Sequence, residues 1–166
     1  MSGRLILNQI EGKSGASNIV TVPTGHRVVG VDTGSVYSPG SVIQAVKNAT
    51  SSGVTIASSS ATAVISTSIT IRQGSRIFAF FSADMNADAA DAWQIIGFKI
   101  GSTQYHDKII EHSGTKNMNA DSCYLSPTLN AGTYTVEFNS RRGSGTVTYN
   151  EGTFGEGIVI MAMEVA

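Results

Sequence analysis

Apolar and polar positions alternate most cleanly in Gly132-Thr-Tyr-Thr-Val-Glu-Phe-Asn139. Tyr134, Val136 and Phe138 fall on one face, and Thr133, Thr135, Glu137 and Asn139 on the other. A period of two belongs to a strand with one face in a core and one in water. Val64 to Ile71 reads as another half-exposed strand, with Val64, Ser66, Ser68 and Thr70 alternating with Ile65, Thr67, Ile69 and Ile71. After the first of these strands, Asn139-Ser-Arg-Arg-Gly-Ser-Gly145 reads as a hairpin connection into Thr146–Tyr149, since its glycines supply positive φ where the chain reverses.

Three runs depart from this alternation. Ile77-Phe-Ala-Phe-Phe81, Ile95-Ile-Gly-Phe-Lys-Ile100 and Ile158-Val-Ile-Met-Ala-Met163 carry apolar residues on both faces, so both faces need cover. A two-layer antiparallel sandwich covers only the inner one. With no helix predicted, the simplest second cover is another copy of the chain, which makes Phe78, Phe80, Phe98, Ile160, Met161 and Met163 the candidate core or subunit-interface residues. A closed barrel with an apolar exterior is the competing arrangement.

The first forty residues form a different kind of segment. Short apolar pieces (Arg4–Asn8, Asn18–Val22, Arg27–Val31) are cut by Gly12, Gly15, Gly25, Gly30 and Gly34, and none can hold a core alone. Pro39-Gly40 marks a turn before Ser41–Val46. The expected organisation is an extended arm over residues 1–40 and a β-sandwich over residues 41–166. No internal repeat is apparent.

Composition agrees with the periodicity. Charged residues are 14% of the 166, against roughly 25% in an average globular chain. Ser and Thr make up roughly a fifth, which with abundant Gly and β-branched residues favours strands and tight turns. A net charge of -1 supplies no field for nucleic acid or an anionic membrane. The single Cys excludes an internal disulfide and suits folding in a reducing cytoplasm. Neither a membrane-spanning run nor the apolar stretch of a signal peptide is visible.

Chemistry-bearing constellations are sparse. Asp84, Asn86 and Asp88 match the first, third and fifth positions of a calcium loop, but Ala89 stands where that loop needs Gly and Ile95 where it needs Glu. Ser82–Trp93 therefore reads as a solvated loop linking two strands, and no metal or other cofactor is expected. His26, His106 and His112 are scattered surface or interface residues, and Cys123 reads as a small buried hydrophobe. No nucleophile elbow is present. Of the glutamates Glu111, Glu137, Glu151, Glu156 and Glu164, most read as solvated side chains, so no catalytic residue is assigned. Arg141 and Arg142, at the expected hairpin tip, are the candidate contact for a sugar or phosphate.

The order of the pieces resembles a known family. Leu7-Asn-Gln-Ile-Glu-Gly12, Val20-Thr-Val-Pro-Thr-Gly-His26 and Ser38-Pro-Gly-Ser-Val-Ile-Gln-Ala-Val46 resemble the N-terminal portion of virion appendage proteins of tailed bacteriophages, cyanophages above all. Leu129–Phe138, the Gly and Ser connection, Tyr149–Gly155 and Ile158–Glu164 resemble the last strands of the β-sandwich that closes many such fibres.

The resemblance implies an all-β fold, an antiparallel jelly-roll or TNF-like sandwich behind an extended N-terminal arm, assembled as a homotrimer. It implies a structural, non-enzymatic virion protein, made in the host bacterial cytoplasm. This would be a fibre or spike anchored to other virion proteins by its arm, through Leu5, Leu7, Ile19, Val22, Val28 and Val29. Exposed loops would touch a host surface glycan or protein, with Arg141 and Arg142 as candidate contacts. The alternative within the family is a cement or decoration protein that stabilises the capsid. Neither nucleic acid nor membrane insertion is implied.

Overall fold

The computed structural model describes residues 40–89, 92–111, 118–150 and 157–166, with the backbone alone for His106 and Asp107. The candidate anchoring residues Leu5, Leu7, Ile19, Val22, Val28 and Val29 lie outside the described residues, as do His26 and His112. The compact unit begins at Tyr37. It is all-β among the described residues, as the composition predicts, and its strands follow in the order β1 (Val42–Thr50), β2 (Val54–Ile56), β3 (Thr62–Ile71), β4 (Arg76–Ala87), β5 (Trp93–Ile100), β6 (Thr103–Glu111), β7 (Met118–Leu125), β8 (Gly132–Ser144), β9 (Val147–Tyr149) and β10 (Ile158–Val165).

Two antiparallel sheets form. Sheet A runs β1-β10-β4 and continues to β7, which pairs Phe78–Met85 of β4; β9 pairs the far end of β4, Met85–Ala87, and carries β2. Sheet B runs β3-β8-β5-β6. With the short β2 and β9 set aside, the long strands pair first with last (β1 with β10), second with seventh (β3 with β8), third with sixth (β4 with β7) and fourth with fifth (β5 with β6). That nesting is a long two-stranded ribbon rolled up, and the β10–β4 and β8–β5 ladders stitch the roll.

Strand alternation places the core between the sheets. On β4, Ile77, Ala79, Phe81, Ala83, Met85 and Ala87 are buried, while Phe78, Phe80, Ser82, Asp84 and Asn86 are half-buried on the other face. Phe81 of sheet A stacks on Phe138 of sheet B with centroids 3.4 Å apart, and Phe98 and Tyr149 meet Phe138 edge-on. A small polar cluster of Gln94, Ser140 and the Tyr149 hydroxyl sits inside this core. The Gln94 Oε1 accepts from Ser140 Oγ (2.7 Å) and from the Tyr149 hydroxyl (2.9 Å), and its Nε2 donates to Met85 Sδ at 3.0 Å. Burial drives the Tyr149 phenol well above its ordinary pKa, so it stays a donor.

Side chains close both open sides of the two layers. Between β1 and β3, Gln44 Nε2 donates to Thr70 O (2.5 Å) and Asn48 Nδ2 to Ser66 O (2.7 Å). Between β6 and β7, Tyr105 and Tyr124 stack with centroids 5.2 Å apart.

Several expectations change. Gly143-Ser-Gly145 is not a hairpin: β8 runs on to Ser144 against β5, and β9 then joins the other sheet against β4 and β2. The glycines serve a crossover between layers instead of a reversal. Arg141 and Arg142 accordingly lie in a ladder opposite Ile95 and Gln94, not at a tip. The Ser82–Trp93 segment is a strand through Ala87, because Ala83, Met85 and Ala87 continue the buried row of β4. Cys123 is exposed, since β7 turns it away from the core that its neighbours Ser122 and Tyr124 face. Glu164, one of five glutamates of which most read as solvated, is fully buried.

Gly145 sits at that crossover with φ 69°, and a Cβ there would come 2.7 Å from the Ala92 Cβ. Gly145→Ala should therefore destabilise by about 1–3 kcal/mol, through left-handed strain and overlap together. Chemical denaturation checks this, and a neutral effect would contradict the rigid corner.

Candidate functional site

The two outer faces of the molecule differ in chemistry. On sheet A the ladders align outward-facing residues in rows across four strands. One row is Ala45, Met163, Phe78 and Leu125; the next is Lys47, Met161, Phe80 and Cys123; a third is Ala49, Val159, Ser82 and Asp121. Phe78, Phe80, Met161 and Met163 are half-buried, and Leu125 remains 39% exposed. Adjacent aromatic, Met and Leu side chains on the solvent side of a sheet form a contiguous apolar patch, the mark of an interaction surface. An open depression of about 370 Å³ adjoins it at the β7 edge, lined by Phe80, Lys108, Asp121, Ser122 and Cys123.

The six candidate core or interface residues thus divide. Phe98 and Ile160 are fully buried between the sheets, whereas Phe78, Phe80, Met161 and Met163 share the outer face of β4 and β10. Sequence alone could not assign the sides, because a strand apolar on both faces hides which face meets the second sheet. Their adjacency comes from the β10–β4 pairing, which puts Met161 opposite Phe80 and Met163 opposite Phe78.

Sheet B presents Ser66, Ser68, Thr70, Thr133, Thr135 and Glu137 outward, the wet face that alternation predicts. Thr70 and Thr133 share a hydroxyl hydrogen bond of 2.8 Å across the strands. At the crossover end the chemistry changes. A depression of about 200 Å³ is lined by Ala61, Ile95, Gln104, Asn139 and Arg141. Its two amides pair reciprocally, Asn139 Nδ2 donating to Gln104 Oε1 at 2.6 Å and Gln104 Nε2 to Asn139 Oδ1 at 3.1 Å. Trp93 lies beside it with its ring over Gly143, where a Cβ would meet the indole at 2.1 Å. Trp93 is 36% exposed and Ile109, opposite Ile95, is 56% exposed.

Arg141 therefore reaches a depression, while Arg142 is exposed and ties its N–H to Ser58 O at 2.7 Å. The Thr146 N–H donates to Asp88 Oδ1 at 2.7 Å; this bond foremost, with Arg142 a lesser influence, holds the Asp88 carboxyl below its ordinary range. Asp88 thus braces the crossover and is separated from Asp84 and Asn86, which sit on a strand. Trp93 was missed by sequence reasoning, which placed it at the end of a loop. The glycine two positions after Arg141 was the available signal.

Among the described residues no three His, Cys, Asp or Glu side chains gather as metal ligands would, and no helix is long and apolar enough to cross a membrane.

Comparison with known proteins gives little. No family model matches the chain, and no curated protein matches it. Among solved structures, dimeric latent PorU from Porphyromonas gingivalis aligns with 81% of this chain and 14% of its own, at 10% identity and a TM-score of 0.39. The structure of infectious bursal disease virus, Gx strain, aligns with 84% of this chain and 40% of its own, at 9% identity and a TM-score of 0.38. The chain thus spans less than half the length of either. Likenesses this remote decide neither family nor function.

Proposed function

We propose that this chain is a jelly-roll subunit of a bacteriophage virion, a trimeric fibre or spike with a structural and not a catalytic role. The nested pairing of the long strands supports the jelly roll, an architecture used by viral capsid and lectin domains. The observation that carries the assembly is the apolar outer face of sheet A, where Phe78, Phe80, Met161 and Met163 adjoin with no second sheet over them among the described residues. In this reading copies of the chain meet on that face. The resemblance at both ends of the sequence is what favours a phage particle and three copies, with residues 1–40 as the anchor. The depression at Arg141, beside the exposed Trp93, is the surface left for a host glycan or protein.

Light scattering of the full chain should give about three times 17.3 kDa. Phe80→Asp combined with Met161→Lys should reduce that to the subunit mass while circular dichroism keeps its strand signal. A folded wild-type monomer at micromolar concentration would overturn the assembly. Imaging of intact particles carrying a tagged copy tests the virion assignment separately, and separates a fibre from the alternative, a cement protein spread over the capsid.

A further inference from the structure

Along β4 the outer face grades from apolar to oxygen-rich, running Phe78, Phe80, Ser82, Asp84, Asn86. At the oxygen-rich end Asn150 lies across from Asp84, its N–H donating to the Asp84 backbone carbonyl at 2.9 Å. Asn150 is 4% exposed and has φ 51°, the left-handed region that Asn tolerates better than most residues. Its amide is fixed, because Nδ2 donates to Ser51 O at 2.5 Å and a flip would forfeit that bond. The other amide atom, Oδ1, is therefore held in place as an acceptor. It is buried and receives no hydrogen bond, and the same is true of Asp84 Oδ1.

Two buried acceptors without donors among the described residues, on residues joined by a backbone hydrogen bond, call for a donor or a positive charge from outside those residues. One bridging water could donate to both oxygens, but it would leave the carboxylate's charge uncompensated. Among the described residues no ion pair serves Asp84. A hard cation satisfies all of these demands at once, since carboxylate and amide oxygens are its preferred ligands.

We propose that Asp84 Oδ1 and Asn150 Oδ1 are two ligands of a hard divalent cation of the calcium class, bound at this end of sheet A. Waters and backbone carbonyls complete its shell, as is usual for calcium, and the single carboxylate sets the affinity in the weak range of extracellular modules. The site is not the loop pattern weighed in the sequence: Asp88 is occupied by Thr146 and has no part in it. It also stands independently of the subunit interface, whose residues lie at the other end of the strand.

The test uses the full chain, stripped with chelator and titrated with calcium and with magnesium at constant ionic strength, followed by calorimetry and thermal melting. Millimolar calcium should bind once per chain and raise Tm by several degrees, with magnesium weaker. Asp84→Asn should weaken calcium binding at least tenfold yet melt no lower than the stripped wild type, because it removes the uncompensated charge. Asn150→Asp should tighten calcium binding. Absence of heat and of any Tm shift would overturn the site and leave the oxygens to water. A calcium response undiminished in Asp84→Asn would overturn it equally, by placing the cation elsewhere.

Discussion

Truncating Phe138 to alanine is expected to cost about 3–5 kcal/mol, enough to lower Tm by about 6–20 °C in a domain of this size. Phe138 is fully buried at the centre of the space between the sheets. It stacks on Phe81 at 3.4 Å and meets Phe98 and Tyr149 edge-on at 5.5 and 6.2 Å, so one side chain joins β8 to β4, β5 and β9. Aromatic contacts of this kind add about 0.5–1.5 kcal/mol each beyond the area they bury. β8 is held at Phe138 by ladders on both sides, in register with β5 and through a bulge with β3, so the flanking strands cannot collapse into the void. Urea denaturation at fixed protein concentration should show a lower midpoint with an unchanged slope. A loss below about 1 kcal/mol would mean that the core is not organised around this ring.

The second large effect belongs to Glu164. Its carboxylate is fully buried at the end of β10, where Oε2 accepts from Gln44 Nε2 (2.7 Å) and Oε1 from the Arg72 N–H and the Ser75 hydroxyl (2.8 Å each). Burial is the largest single influence and raises its pKa. Gln44, the Arg72 N–H and Ser75, aided by the Arg72 guanidinium, together outweigh it and hold the group below its ordinary range.

The sign of the pH dependence follows. A depressed folded pKa stabilises above the unfolded value of about 4.3 and loses that contribution as pH falls through the folded value. Glu164→Gln should therefore cost about 2 kcal/mol near neutrality, since its amide Nε2 would face the donor of Gln44. The difference from wild type should shrink as the solution is acidified below about pH 4. A difference independent of pH would remove the charge from the account.

Much of the strand pattern was legible because a half-wet strand writes its period into the chain. Thr133 to Phe138 and Ile65 to Ile71 sit as their alternation predicts, but two expected wet positions are buried: Asn139 pairs with Gln104 and is 4% exposed, and a bulge between Ala63 and Ile65 lets Val64 turn inward with Ile65. What could not be read was pairing between distant strands. Glycines such as Gly143 and Gly145 look alike in a hairpin and in a crossover, and only the partner of Val147 distinguishes the two. Glu164 was hidden for the same reason: its donors come from Gln44, Arg72 and Ser75, about 90 to 120 positions earlier, so no local window contains the site. The apolar outer face was half legible, since two-sided strands announced an unmet surface without saying that β4 and β10 share it.

The rolled ribbon also constrains the order of events when the chain first folds. Its innermost turn, β5 with β6, closes a short connection and can form early, but each further pair must bridge a longer stretch, and β1 waits for β10. The Gly40 N–H donates to Ala166 O at 2.8 Å and the Ala166 N–H to Ser41 O at 3.0 Å, so the outermost pair closes only when β10 has left the ribosome. Until then β4 lacks the neighbour that occupies one of its edges, and its apolar residues on both faces stand open. Long-range pairing of this kind places folding in the slow range, about milliseconds to seconds. The period of greatest exposure to aggregation is thus the interval in which β4 has emerged and β10, its closing neighbour, has not.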